Sequence, residues 1–170
     1  MASATYLQSL DATYEDGTSR GITPSNRRQI EIFIASEPIV AGDLVCIDIA
    51  KIAAANPGSP ATDGWKNEPL GDAVLHIKKA NSGAAVTAAA IGFAIDAAAA
   101  AGDEVQVTVA GIHAEAKLEA GVVQGDRLKV TNVAGEADTY TAAETVPCIG
   151  YALADYSANA LTPVFVIKQF

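Results

Sequence analysis

The chain repeats itself. "IGFAI" (Ile91–Ile95) returns as "IGYAL" (Ile149–Leu153), and each is followed, after a short gap, by an alternating segment, "EVQVTV" first and "PVFVI" second. Upstream, "AGDLVCI" (Ala41–Ile47) matches "QGDRLKV" (Gln124–Val130). Both sets fit one unit: Gly-Asp, a strand, a polar stretch, Ile-Gly-aromatic-Ala, a connector and a closing strand. An internal duplication of a β-unit is the economical reading. It divides a β-domain, residues 39–170, into copy one at about 40–110 and copy two at about 121–168. Copy one carries an inserted loop at about 53–69, marked by the Pro, Gly and Asn of "AANPGSPATDGWKNEP".

The repeat settles an ambiguity. Ala97–Ala101 is an unbroken run of the best helix former. Copy two has "ADYSANALT" in the same place, a poor helical pattern. Five alanines are also far too short for an isolated helix to persist. The run is expected to be a connector between strands. Elsewhere the period is two: "RLKV" and "QIEIFI" alternate, and "IHAEAKL" puts Ile112, Ala114, Ala116 and Leu118 on one face, with His113, Glu115 and Lys117 on the other. Gly-Asp pairs at Gly42, Gly102 and Gly125 precede strands, where Gly supplies the positive φ of a tight turn. About ten short strands and no convincing long helix predict an all-β fold, a small antiparallel barrel or sandwich.

At 170 residues the chain is the size of one domain, able to bury roughly 70% of its unfolded surface. The formal charge is −9, with no basic cluster longer than Arg27–Arg28 or Lys78–Lys79. Nucleic-acid binding needs counterion-releasing cations on one face, so no nucleic-acid partner is expected. The acidic balance fits solubility or a basic protein surface as partner. No apolar run is long enough to span a membrane, and "MASATYLQSLDATYEDG" lacks the basic and apolar segments of a secretory signal. Synthesis in a host cytoplasm, with no membrane partner, is the expectation. Cys46 and Cys148 are too few for a disulfide framework. They read as buried small apolar residues, with a bridge or a reactive thiol as alternatives.

Residues 1–38 read differently: an extended N-terminal arm leading into a first strand near Gln29–Ala35. The arm has no sustained period, only scattered anchors, Tyr6, Leu7, Leu10, Tyr14 and Ile22, and it holds three of the four arginines, Arg20, Arg27 and Arg28. Ordering such a segment costs on the order of 1–2 kcal/mol per residue in backbone entropy. With so little apolar content, a partner surface must order it, or it stays a floppy terminus. Trp65, the single tryptophan, lies in the inserted loop; it is either an interface anchor or a lid over local core.

Chemistry is sparse. His76 and His113 both fall on what reads as the polar face of a strand, and a solvated role is expected for each. There is no Gly-x-Ser-x-Gly elbow, no Cys-x-x-Cys, no His-x-x-x-His and no acidic loop with calcium spacing. "GSPATDG" lacks the Lys-Ser or Lys-Thr of a phosphate loop. Asp43, Asp103 and Asp126 recur in similar contexts, and turn stabilisation explains them more cheaply than a shared ligand site. No catalytic set, metal or cofactor is expected.

The order "AGDLV", "AAIGFAIDAAAAAGDEVQVTVAG", "AGVVQGDRLKV" and "CIGYALAD…PVFVI", over Val40–Ile167, resembles the capsid cement (decoration) proteins of tailed bacteriophages. The arm and the inserted loop lie outside that family's short core pattern. The resemblance implies a β-rich virion protein on the outer capsid surface. Such a protein is commonly a homotrimer, partnered with the major capsid protein and stabilising the expanded shell. Tyr6, Leu7, Leu10, Tyr14, Arg20, Arg27, Arg28 and Trp65 are then the expected capsid or neighbour contacts. Two other classes stay open: a carbohydrate- or host-surface-binding module, for which Trp65, Tyr140 and Tyr156 are the loop aromatics, and an enzyme on a small barrel, which needs a convergent acid, base and nucleophile.

Overall fold

The computed structural model describes residues 29–50, 75–82, 90–141, 147–156 and 161–167. Nine strands lie among them: β1 (Gln29–Ala35), β2 (Leu44–Ile47), β3 (His76–Lys79), β4 (Ala90–Ala94), β5 (Glu104–Ala116), β6 (Arg127–Val130), β7 (Ala137–Thr139), β8 (Gly150–Ala152) and β9 (Thr162–Val166). The fold is all-β, and the barrel is realised. Strands run β1-β3-β2-β4-β5, and β1 pairs again with β5 to close a five-stranded barrel. Every pairing in it is antiparallel except β1–β3, which is parallel, so the barrel is mixed where the sequence predicted a purely antiparallel one. The parallel pair arises because the chain leaves β1, enters β2 and returns as β3 between them.

β5 is long because it serves twice. Its first part pairs with β1 and β4; from Gly111 onward it pairs with β9. The second group continues β5-β9-β8-β6-β7. It comes back on itself through a parallel bridge between Leu118 and Ala137.

The two groups are wired alike. Leu44 faces Phe93 as Arg127 faces Tyr151, and Val45 faces Gly92 as Leu128 faces Gly150. Phe93 faces Thr108 as Tyr151 faces Phe165, and Ala94 faces Val107 as Ala152 faces Val164. The parallel contact recurs as well: Ala35 with Ile77, and Leu118 with Ala137. The cores follow. Ile39, Val45, Ile91, Ala94, Val107 and Val109 fill the first barrel, where Val122, Leu128, Ile149, Ala152, Val164 and Val166 fill the second.

Both motifs of the repeat have physical causes. Gly42 takes φ +86° and Gly125 +91°, opening turns that L side chains rarely enter. Each turn is clamped to the Ile-Gly-aromatic-Ala strand by the same two bonds. The Gly42 N–H donates to the Ala94 carbonyl at 2.8 Å, and the Ala94 N–H to the Asp43 carbonyl at 2.9 Å. The Gly125 N–H donates to the Ala152 carbonyl and the Ala152 N–H to the Asp126 carbonyl, both at 2.9 Å. The motif glycine is there for room. A Cβ on Gly92 would collide with the Thr108 carbonyl oxygen, and one on Gly150 with the Phe165 carbonyl oxygen, the equivalent atom.

The alanine run is a connector, as the repeat predicts. Ala98 is buried and forms a lone antiparallel bridge with Ile39. The "IHAEAKL" alternation holds only in part. Ala116 and Leu118 are buried, but so is His113, while Ala114 is exposed. The register against β9 shifts between His113 and Ala116. A bulge of this kind inserts one residue and reverses which face follows.

Candidate interaction surface

The contact residues expected from sequence, Tyr6, Leu7, Leu10, Tyr14, Arg20, Arg27, Arg28 and Trp65, all lie outside the described residues. The arm before β1 and the inserted loop lie outside them too.

The three Asp residues are turn residues. Asp43 accepts from the Val40 N–H at 2.8 Å, Asp103 from the Ala100 N–H at 2.9 Å and Asp126 from the Val123 N–H at 3.0 Å. Each carboxylate thus bonds the N–H three residues back, across its own glycine turn. Their settings differ. Asp43 is buried and also holds Lys117 Nζ at 2.5 Å, Asp126 is half-buried and accepts from Thr139 Oγ1 at 3.0 Å, and Asp103 is exposed.

His113 corrects an expectation: it is buried, not solvated. Its ring stacks on Phe93 with centroids 5.5 Å apart, and Nδ1 lies 3.0 Å from Thr108 Oγ1. His113 keeps the inward phase of Val105, Val107 and Val109, and the bulge after it brings Ala116 and Leu118 onto the inward face too. His76 is half-buried. Cys46 is buried and its thiol is pushed up to about 11 by that burial; Cys148 is half-buried, and neither is in a disulfide. Among the described residues no three His, Cys, Asp or Glu side chains are grouped to hold a metal.

What the surface does carry is an aromatic row. Register places Arg127, Tyr151, Phe165 and Ile112 side by side across β6, β8, β9 and β5. Tyr151 is 39% exposed and Phe165 41%. Arg127 is exposed and lies 4.8 Å over the Tyr140 ring, a cation–π distance. Tyrosine, phenylalanine and arginine are the residue types enriched where proteins meet.

No protein-family model and no curated protein matches the chain. Among solved structures it is similar to the N base of the head fibre protein gp8.5 of bacteriophage phi29. The two are 17% identical, with a TM-score of 0.47, over 82% of this chain and 94% of that one.

Of the loop aromatics read from sequence, Tyr140 lies half-buried under Arg127, and Tyr156 packs against the second core. Among the described residues the exposed aromatics are Tyr151 and Phe165 instead. In "IGYAL" and "PVFVI" each aromatic takes the phase opposite to the buried residues, but Phe93 of "IGFAI" takes the same phase and is buried, so alternation alone does not single the pair out.

A second exposed patch sits on the first barrel. Outward along β1 come Ile30 and Ile32, the latter 59% exposed, with Leu75 nearby through the bond from the Ile34 N–H to the Leu75 carbonyl. Glu104, exposed, faces Ile34 on the neighbouring strand.

Proposed function

We propose that this chain is a structural protein of a phage head. It binds the outer surface of the icosahedral shell and clamps neighbouring major capsid proteins. A protein that binds only the assembled, expanded state stabilises it by mass action, and a homotrimer multiplies weak contacts through effective concentration. One observation carries the reading. The motifs that carry the resemblance to the cement proteins are the residues that set strand register and close the turns here: Gly42-Asp43, Gly92, Gly125-Asp126 and Gly150. Their order is therefore a property of the fold, not of a low-complexity composition. The arm, with Tyr6, Tyr14 and its arginines, and Trp65 in the inserted loop supply the shell contacts in this reading.

Co-sedimentation with expanded shells lacking the protein tests it, comparing the full chain with one beginning at Gln29. Saturable binding at a fixed ratio to capsid subunits is expected, with loss on truncation assigning the arm as the clamp. Absence of binding by the full chain would overturn the reading.

The side-by-side exposure of Tyr151 and Phe165 beside Arg127 favours a second reading, a carbohydrate-binding module. Glycan binding that is independent of shells and lost in Tyr151→Ala would replace the first reading with this one.

A further inference from the structure

The equivalence of the two barrels extends to their outer faces. In the first, the row is Leu44–Phe93–Thr108, at positions equivalent to Arg127–Tyr151–Phe165 in the second. The first row is fully buried, and what buries it is the second barrel. Leu44 and Phe93 belong to the second barrel's core cluster, His113 stacks on Phe93, and the Leu44 N–H donates to the Gly135 carbonyl at 2.7 Å. Each barrel thus has a seat on its outer face. The first seat is filled within the chain, and the second is open.

We propose that the open seat, Arg127, Tyr151 and Phe165, is filled by a second copy of this chain, which docks head to tail through Ile30, Ile32 and Leu75 of its first barrel. The chemistry of the two seats fits this difference. The filled one forms once, during folding, and is built of Leu and Phe. The open one must stay hydrated until a separately folded chain arrives, and it carries Arg and Tyr, whose polar ends tolerate water. The aliphatic patch on β1 offers the complementary surface, with Glu104 beside it as a partner for Arg127. Two different patches on one chain make a heterologous contact, which gives a ring where its rotation closes and a filament where it does not; the ring is the outcome proposed. The inference stands on the equivalence of the seats and does not require shell binding.

The test uses the purified full chain without shells, followed by sedimentation velocity across a range of concentrations. The 17.4 kDa chain is expected to form a discrete larger species. Phe165→Glu and Ile32→Glu, both at exposed positions, are each expected to weaken association at least about thirtyfold and to leave the circular dichroism spectrum, and the melting at dilutions where the parent chain is monomeric, unchanged. The decisive arm mixes the two variants. One retains the β1 patch and the other the aromatic row, so the mixture regains a single contact and forms a dimer that cannot grow. A full chain that stays monomeric would overturn the proposal. So would association surviving both substitutions, or variants that fail to complement, which would indicate another surface or a two-fold contact. If only the chain beginning at Gln29 associates, the row is covered by residues 1–28 of its own chain, and the proposal fails for the intact protein. Shell co-sedimentation is scored separately, so either reading can fail alone.

Discussion

Phe93 and Tyr151 hold the same place in two equivalent barrels, one 1% exposed and stacked on His113, the other 39% exposed beside Phe165. The backbone around them is the same: the same Gly-Asp clamp, the same crowded glycine, the same register. What differs is the neighbour. Leu44, Cys46, Ala80 and Ala90 line the covered face; Arg127, Lys129, Tyr140 and Cys148 stand in their places on the open one. Strand pairing is thus conserved by backbone geometry, while the outer face is free to be rewritten for whatever meets it.

The most severe way to disturb this comparison is to strike what the barrels share. Gly92→Ala and Gly150→Ala each drive a methyl into the carbonyl of the adjoining strand, at Thr108 or Phe165. Backbone cannot step aside as a flexible side chain can, so each is expected to cost about 4 kcal/mol or more, at the extreme of single substitutions. Chemical denaturation should show both variants largely unfolded or close to it. A glycine that accepts Ala with a loss under about 1 kcal/mol would show that its strand pair is looser than its twin.

Next comes the pair that differs. Phe93→Ala should cost about 3–5 kcal/mol, because it empties a filled junction. Tyr151→Ala, at the equivalent place, should change the stability of the isolated chain by about 0.5 kcal/mol, as at ordinary surface sites. Equal losses in urea melts would show that the second row is covered within the chain, and the open-seat argument would fall.

The aspartates give a graded series on one turn geometry. Asp43→Ala strands Lys117 and leaves the Val40 N–H without its acceptor in a buried setting, for about 3 kcal/mol. Asp126→Ala loses bonds to Val123 and Thr139 in a half-buried one, about 1–2 kcal/mol. Asp103→Ala, exposed, should cost about 0.5 kcal/mol. Thermal melting of the three variants should fall in that order; any inversion would mean that burial is not what grades them.

The repeat, the strand at Gln29–Ala35, the connector role of the alanines and the turn role of the three aspartates were legible in the sequence because each depends on local chemistry: alternation, a glycine φ, a carboxylate within reach of an N–H. Three features were not. The parallel β1–β3 pair depends on the order in which the chain crosses the barrel, which no local pattern encodes. That His113 is buried as well as Ala116 and Leu118 depends on the bulge between them, and a single added residue reverses a two-residue period in a way that no composition records. The open seat depends on which of two equivalent faces a neighbour covers. It becomes visible only when Tyr151 and Phe165 are compared, position by position, with Phe93 and Thr108.

The smallest effect is chemical rather than energetic, and it separates the two faces without unfolding anything. Cys46 lies on the covered face and Cys148 at a corner of the open one. Burial holds the Cys46 thiol protonated up to about 11, and the thiolate is the reactive form, so at pH 8 Cys46 should be inert as well as inaccessible. Cys148 is half-buried beside Arg127 and can be reached by a small reagent. Thiol titration of the native chain at pH 8 should therefore count one fast group, and Cys148→Ser should abolish it, while denaturant should expose a second. If the fast group survives in Cys148→Ser, Cys46 is accessible, and the second barrel leaves the first often enough for its seat to open. If copies associate through the row as proposed, raising protein concentration should slow modification of Cys148 and leave Cys46 unchanged. The same titration thus reads the filled seat and the open one side by side.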